Sequence, residues 1–98
     1  MSSSEEARLK TRIRKDLARR GIWYTNIPNG VLGSIPGDPD MIACHDGHMI
    51  AIEGKAPRGV KRTQQIDRKA LIEACGGHYY FIRNWEQYQI MLEKEGII

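Results

Sequence analysis

The sequence predicts an α/β domain whose elements follow the order helix, three strands, helix, strand and helix. Three observations support this order: an apolar stripe with helical spacing near the N-terminus, an Asp46-Gly47 dipeptide between two apolar runs, and glycines, prolines and capping residues that separate the other segments. A chain of 98 residues can bury one small core. We therefore treat residues 1–98 as a single domain.

The first helix is predicted to run from Ser3 to about Arg20, where Gly21 ends it. Ser3 and Glu6 have the spacing of a capping box. The buried stripe of this helix consists of Leu9, Ile13 and Leu17. Glu6 falls near the centre of that stripe and should point inward. Two roles for Glu6 follow: a helix cap or a residue of a functional site.

The remaining elements are predicted from alternation and turn residues. Strands are expected over four segments: 22–27, 41–45, 48–55 and 78–82. Helices are expected over 63–75, closed by two glycines, and over 85–95, capped by Asn84. A glycine- and proline-rich loop spans 28–39, and a polar loop spans 56–62.

The hairpin predicts the register of its two strands. A two-residue Asp-Gly turn pairs His45 with His48, and counting outward places Asp40 opposite Glu53. Alternation adds Lys55 to the same face. Facing carboxylates destabilise a sheet unless a cation lies between them, so this arrangement predicts a divalent metal site beside an ammonium group. The alternative is that both acids are solvated strand ends.

Basic residues cluster although the net charge is only +3. One cluster lies on the first helix: Lys10, Arg12, Arg14, Lys15, Arg19 and Arg20. The other surrounds the segment after the third strand: Lys55, Arg58, Lys61, Arg62, Arg68 and Lys69. Such clusters suit contacts with phosphates, and a solvated surface is the alternative.

Several other classes of function find little support. No apolar run is long enough to span a bilayer, and the N-terminus lacks the regions of a secretory signal, so an intracellular protein without a membrane partner is expected. Cys44 and Cys75 are expected to be reduced and half-buried. A zinc site is not expected, because the hairpin register places Cys44 and His48 on opposite faces. Most aromatic side chains are expected in the core or an interface.

The segment Gly37-Asp38-Pro39-Asp40, followed by Glu53-Gly54-Lys55, resembles the signature of the PD-(D/E)XK nuclease superfamily. It is more closely similar to the VRR-NUC family, which adds a glutamate on an N-terminal helix, an Asn-Gly pair, and a glutamine at the start of the helix after the lysine. The corresponding residues are Glu6, Asn29-Gly30 and Gln65. The resemblance spans about residues 4–82. Gly54 departs from the family, which usually has an apolar residue there.

The resemblance implies a restriction-endonuclease-like αβββαβ core, with a mixed sheet flanked by helices and an extra C-terminal helix. It also implies Mg²⁺ or Mn²⁺ held by Asp40, Glu53, the Gly54 carbonyl and Glu6, directly or through water. Lys55 would orient or deprotonate the attacking water. Gln65 would hold Lys55 or a phosphate, with Gln64 as the competing position.

The implied function is structure-selective cleavage of branched DNA, such as four-way (Holliday) junctions, by a homodimer acting in DNA repair or replication. The expected DNA contacts are Lys10, Arg14, Arg58, Lys61 and Arg62. Candidate interface residues are Val31, Leu32, Ile35, Ile97 and Ile98. The alternatives are a catalytically silent or non-selective module that binds or nicks DNA, and a structural partner protein that does not bind DNA.

Overall fold

The computed structural model describes residues 2–28, 38–55 and 63–98, with side chains from residue 5 onward. Its elements follow the predicted order: α1 (Ser2–Arg19), β1 (Trp23–Asn26), β2 (Met41–His45), β3 (His48–Gly54), α2 (Thr63–Ala74), β4 (His78–Ile82) and α3 (Trp85–Lys94). Asn84 caps α3 as predicted, because its side chain accepts a hydrogen bond of 2.9 Å from the Gln87 N–H. Ser3 lies within α1, which begins at Ser2, so it does not occupy the predicted N-cap position.

The four strands form one mixed sheet in the order β1-β2-β3-β4. The first three strands are antiparallel, and β4 is parallel to β3. The sheet is flanked by three helices, so the predicted α/β fold is confirmed. The parallel pair requires the long crossover that α2 provides.

The hairpin register is also confirmed. His45 pairs with His48, and Ile42 pairs with Ala51. The turn residues Asp46 and Gly47 both have positive φ angles, 51° and 80°. A two-residue turn of this kind matches the twist of the strands it joins and fixes their pairing. Asp40, the residue before β2, therefore lies beside the end of β3.

The main core lies between the sheet and the two helices α1 and α3. Its fully buried side chains come from α1, from the strands β2, β3 and β4, and from α3: Ile13, Leu17, Met41, Ile50, Ile52, Ile82, Tyr88, Met91 and Leu92. Burial of this apolar surface is the main stabilising contribution to the fold. Ile97 also packs against this cluster, so this candidate interface residue is partly committed to the protein's own core.

The opposite face of the sheet carries the polar site. Because side chains alternate along a strand, Ile52 and Gly54 share the core face of β3 while Ala51 and Glu53 point the other way. Tyr79 of β4, which pairs with Ala51, is also buried. On this face Gln65 of α2 contacts Glu53. The site therefore lies where β3 ends and α2 begins.

Two further properties concern the surface. Cys44 and Cys75 are free and exposed, so the prediction that they are half-buried is wrong. Cys44 lies on the outer face of β2 and Cys75 follows the end of α2. In the described parts of the chain, no helix combines the length and the apolar character needed to cross a bilayer.

Candidate functional site

Asp40 is anchored at the end of the hairpin. Its Oδ2 accepts a hydrogen bond of 2.8 Å from the Gly54 N–H, which ties the residue before β2 to the last residue of β3. Its Oδ1 lies 3.5 Å from the Lys10 Nζ of α1. The Asp40 side chain is 10% exposed. The predicted pairing of this end of the hairpin thus places a carboxylate where three elements meet.

Glu53 lies beside Asp40 and is more deeply buried. Only 6% of its surface is exposed, and its Oε2 accepts a hydrogen bond of 2.6 Å from Nε2 of Gln65. The Lys55 Nζ lies 3.7 Å from the same oxygen. The other oxygen, Oε1, is buried and has no hydrogen-bond partner among the described residues. A buried acceptor without a partner is costly and calls for a ligand.

The electrostatics of the site reflect two acids held close together. The pKa of Glu53 is raised to about 7, chiefly by burial and secondly by the negative charge of Asp40. The positive charges of Lys55 and Lys10 oppose this shift. A carboxyl group whose ionisation is disfavoured by burial and by a like charge is stabilised in its ionised form by a bound cation.

The residues present fit a hard divalent cation. Asp40 and Glu53 supply carboxylate oxygens, and the buried Oε1 of Glu53 is an acceptor without a donor among the described residues. Oxygen donors of this kind are the ligands that Mg²⁺ and Mn²⁺ prefer. The carbonyl of Gly54 is the expected third ligand. Gly54 directly follows Glu53, and its N–H donates a hydrogen bond to Asp40, so this residue connects the two acids.

Gly54 has a structural role that the sequence did not reveal. A Cβ atom at this position would lie 2.7 Å from the Lys10 Cγ, closer than van der Waals contact allows. The absence of a side chain therefore lets the Lys10 stem cross the end of β3 and reach Asp40. A larger apolar residue, as is usual in the VRR-NUC family, would force this lysine to move.

Lys10 was expected to contact DNA, but its ammonium group lies beside Asp40 in the site. Glu6 lies one helical turn before Lys10 on α1 and is half-buried. The Glu6 carboxylate forms no hydrogen bond or ion pair with another described residue. The structure thus brings together Asp40, Glu53 and Lys55, with Glu6 on the same side of α1 as Lys10.

The two glutamines at the start of α2 differ in burial and in contacts. Gln65 is 9% exposed and contacts Glu53, whereas Gln64 is exposed. The expected partner of Gln65 was Lys55 or a phosphate, and the observed partner is the carboxylate that Lys55 also approaches. Gln65 therefore positions Glu53.

Several basic side chains of α1 are already engaged within the protein. Arg12 stacks on the Trp85 ring at 3.8 Å, and Arg20 donates a hydrogen bond of 2.7 Å to Asp16. Arg14, an expected DNA contact, donates to the Thr11 hydroxyl at 3.2 Å. The other expected contacts, Arg58, Lys61 and Arg62, lie outside the described residues. Arg12, Arg14 and Arg20 therefore have partners within the protein, and contacts of α1 with phosphates stay a prediction.

Tyr79 is a further buried polar group near the acids, and the sequence predicted only that most aromatic side chains lie in the core or an interface. Its hydroxyl is buried and has no hydrogen-bond partner in the described part of the chain. Burial raises its pKa, and the charges of Glu53 and Asp40 add to that shift, so the phenol is neutral. The parallel pairing of β4 with β3 puts Tyr79 on the Glu53 face, but no sequence signal gives that register.

Comparison with known proteins adds no assignment. No protein-family model matches the chain, and no curated protein sequence matches it. The resemblance to the VRR-NUC family stays a prediction based on Glu6, Asp40, Glu53, Lys55 and Gln65. The function is therefore inferred from the geometry of these residues.

Proposed function

We propose that this protein is a Mg²⁺- or Mn²⁺-dependent endonuclease of the VRR-NUC type that hydrolyses phosphodiester bonds in DNA. The observation that supports this proposal is the buried group of Asp40, Glu53 and Lys55 at the end of one hairpin, with Glu53 Oε1 lacking a donor among the described residues. Paired carboxylates supply oxygen donors for an ion that assists phosphoryl transfer, and a neighbouring lysine can stabilise the negative charge that develops on the phosphate.

Asp40 and Glu53 would hold the ion, together with the Gly54 carbonyl and with Glu6 directly or through water. When bound, such an ion lowers the pKa of water and neutralises charge on phosphate oxygens. Gln65 keeps the Glu53 carboxylate in one orientation through its 2.6 Å hydrogen bond. The Gly54 N–H does the same for Asp40. The two acids are therefore held in place before any substrate arrives.

Lys55 carries the second chemical role. Its ammonium group lies 3.7 Å from Glu53, and only 9% of its side chain is exposed. Because this charge is largely shielded from water, it interacts strongly with a phosphate whose negative charge increases in the transition state. As an ammonium group Lys55 would also orient the attacking water by donating to it; the alternative role of deprotonating that water requires the neutral amine form of Lys55. Lys10 neutralises part of the charge of Asp40.

We further propose that the substrate is branched DNA, with four-way junctions as the leading candidate, and that a homodimer acts inside the cell. Two opposing strands of a junction must be cut, and a two-fold pair of sites supplies both cuts. Ile98 is 54% exposed and is a candidate contact of the dimer.

A specific observation favours one alternative. Because Lys10 already pairs with Asp40, the site is partly neutralised by the protein's own charge, as in a catalytically silent module that binds DNA. Such a module would bind DNA without a divalent ion and tolerate the loss of Lys55. The non-selective nicking module would cut without preference for branches.

The test is a cleavage assay with labelled junction, flap, duplex and single-stranded DNA, with and without Mg²⁺ or Mn²⁺. We expect paired cuts in the junction that require the ion and disappear in Asp40→Asn and Glu53→Gln, while DNA binding is retained. Glu5→Gln is the matched control, because it removes an exposed acid. Full activity in both site variants would reject the metal site, and independent, uncoupled nicks would reject the dimer.

A further inference from the structure

A second polar cluster lies at the opposite end of β3. His48 begins β3, His78 begins β4, and Glu95 follows the last residue of α3. Each residue offers one ligand atom, and these atoms lie within 4.8 Å of one another. Since a strand rises about 3.3 Å per residue, His48 and Glu53 lie about 16 Å apart along β3. This cluster is therefore separate from the acidic site.

Glu95 is the buried member of the cluster. Its side chain is 1% exposed, and its Oε2 is bonded to the His78 Nδ1 at 2.7 Å and to the Tyr80 hydroxyl. Its Oε1 is buried without a hydrogen-bond partner among the described residues. Two partners converge on one oxygen while the other has none. A carboxylate in this position has an unused acceptor that a ligand would satisfy.

The two histidines complete a set of donors with open access. The rings of His48 and His78 lie 5.3 Å apart, His48 is exposed, and 42% of the His78 side chain is exposed. His78 and Glu95 also line a surface cleft of about 420 Å³. An ion can therefore reach the cluster from solvent without any opening of the core.

We propose that His48, His78 and Glu95 form a binding site for a divalent transition metal, with Zn²⁺ as the ion that fits best. Two imidazoles and one carboxylate are a zinc ligand set, and imidazole nitrogen favours Zn²⁺ over the Mg²⁺ or Mn²⁺ suited to the acidic site. The ion would bind Oε1 of Glu95, which has no donor among the described residues. Its binding joins the end of α3 to the starts of β3 and β4.

Sequence spacing did not predict this site. The three residues lie far apart along the chain, and Glu95 enters the cluster only because α3 packs beside β4. The cysteines do not take part in this group, which agrees with the register argument against a Cys44–His48 pair.

The test is isothermal titration calorimetry of chelator-treated protein with ZnCl₂, with thermal unfolding measured in parallel. We expect one ion per chain, a higher melting temperature with Zn²⁺, and weaker binding at lower pH because protons compete for the ligands. His48→Ala and His78→Ala should each weaken binding about tenfold or more. His45→Ala is the matched control: it removes the other hairpin histidine, which lies outside the cluster, and should leave the affinity unchanged.

Two outcomes would overturn the proposal. One is unchanged Zn²⁺ affinity in a correctly folded His48→Ala or His78→Ala. The other is loss of Zn²⁺ binding in the double variant Asp40→Asn and Glu53→Gln, which would place the ion in the acidic site. Because His48 is an exposed residue beside a turn, His48→Ala should fold normally, and it keeps the test decisive if His78→Ala does not.

Discussion

The Nε2 amide of Gln65 donates a hydrogen bond of 2.6 Å to Oε2 of Glu53, which joins the first turn of α2 to the end of β3. Both side chains are buried, so water cannot readily take the place of either hydrogen-bond partner, and loss of this bond would cost free energy of folding. The hydrogen bond orients an acid that burial and Asp40 both disfavour in its charged form. Gln65 therefore links the stability of the protein to the geometry of the site.

The first prediction is that Gln65→Ala destabilises the protein. Glu53 loses its amide donor, and an unsatisfied buried acceptor costs about 1–3 kcal/mol. Gln64→Ala removes the neighbouring exposed glutamine and should change stability by less than about 0.5 kcal/mol. Urea unfolding of both variants measures the difference. Equal free energies of unfolding would show that the contact with Glu53 contributes nothing.

The second prediction concerns pH. The pKa of Glu53 is about 7 in the folded protein and has its ordinary value of 4.5 in the unfolded chain. Between these values the folded protein keeps a proton that the unfolded chain has released, so stability falls as pH rises from about 5 to about 7 and then levels off. The Glu53 contribution is on the order of a few kcal/mol across this window.

Glu53→Gln isolates this contribution, because the variant changes no other titratable side chain. Urea unfolding in the presence of a chelator, at several pH values, gives the free energies of both proteins. The difference between wild type and variant should shrink or reverse as pH rises towards 7. Parallel curves would mean that the environment of Glu53 does not disfavour its charge.

The site was predictable where local geometry controls it. The two-residue Asp46-Gly47 turn fixes the register of β2 and β3, so this register follows from the sequence. The same register brings Asp40, Glu53 and Lys55 together. The boundaries of β4 and the Asn84 cap were also predicted, because strand alternation and capping are local properties.

The rest depends on how helices pack across the sheet, which no local pattern gives. Lys10 reaches Asp40 only because α1 crosses the end of β3 at Gly54. The buried hydroxyl of Tyr79 depends on the parallel register of β4. Similarly, the sequence does not show which basic residues of α1 have partners within the protein. In the folded protein Arg12 stacks on Trp85, and Arg20 bonds Asp16.

The third prediction separates two roles of Lys10. Its ammonium group lies 3.5 Å from Asp40, where it competes with any bound cation. Lys10→Met should therefore tighten Mn²⁺ binding about fivefold or more, since a unit charge at this distance is worth at least about 1 kcal/mol. Lys15→Met, an exposed position on the same helix, is the control. Weaker DNA binding with unchanged Mn²⁺ affinity in calorimetry would instead support a direct DNA contact.

The fourth prediction is that Lys55→Ala reduces catalysis far more than metal affinity. Removal of one fixed electrostatic group from a dry site costs about 100-fold in rate. The metal affinity should stay the same or rise, because a positive charge near Glu53 is lost. Single-turnover cleavage at saturating Mn²⁺ measures the rate, and Lys94→Ala at an exposed position of α3 is the control. Normal cleavage by Lys55→Ala would remove this lysine from the mechanism.

The fifth prediction addresses Glu6, which is half-buried one turn before Lys10 on α1. Because α1 begins at Ser2, Glu6 no longer has Ser3 as the N-cap of a capping box. A position on the side of α1 that approaches Asp40 instead favours a role in holding the ion. Glu6→Gln should then lower cleavage about tenfold, as the loss of an outer metal contact does, with little change in melting temperature.

Glu5→Gln provides the matched control for this change. It removes the same charge from the neighbouring position near the start of α1, but Glu5 is exposed whereas Glu6 is half-buried. Cleavage rates at limiting and saturating Mn²⁺, measured with the melting temperature of each variant, distinguish the roles. A rate loss in Glu6→Gln that saturating Mn²⁺ partly restores would identify a metal contact. Similar cleavage rates and melting temperatures in the two variants would show that Glu6 has no role in the site beyond its place near the helix N-terminus.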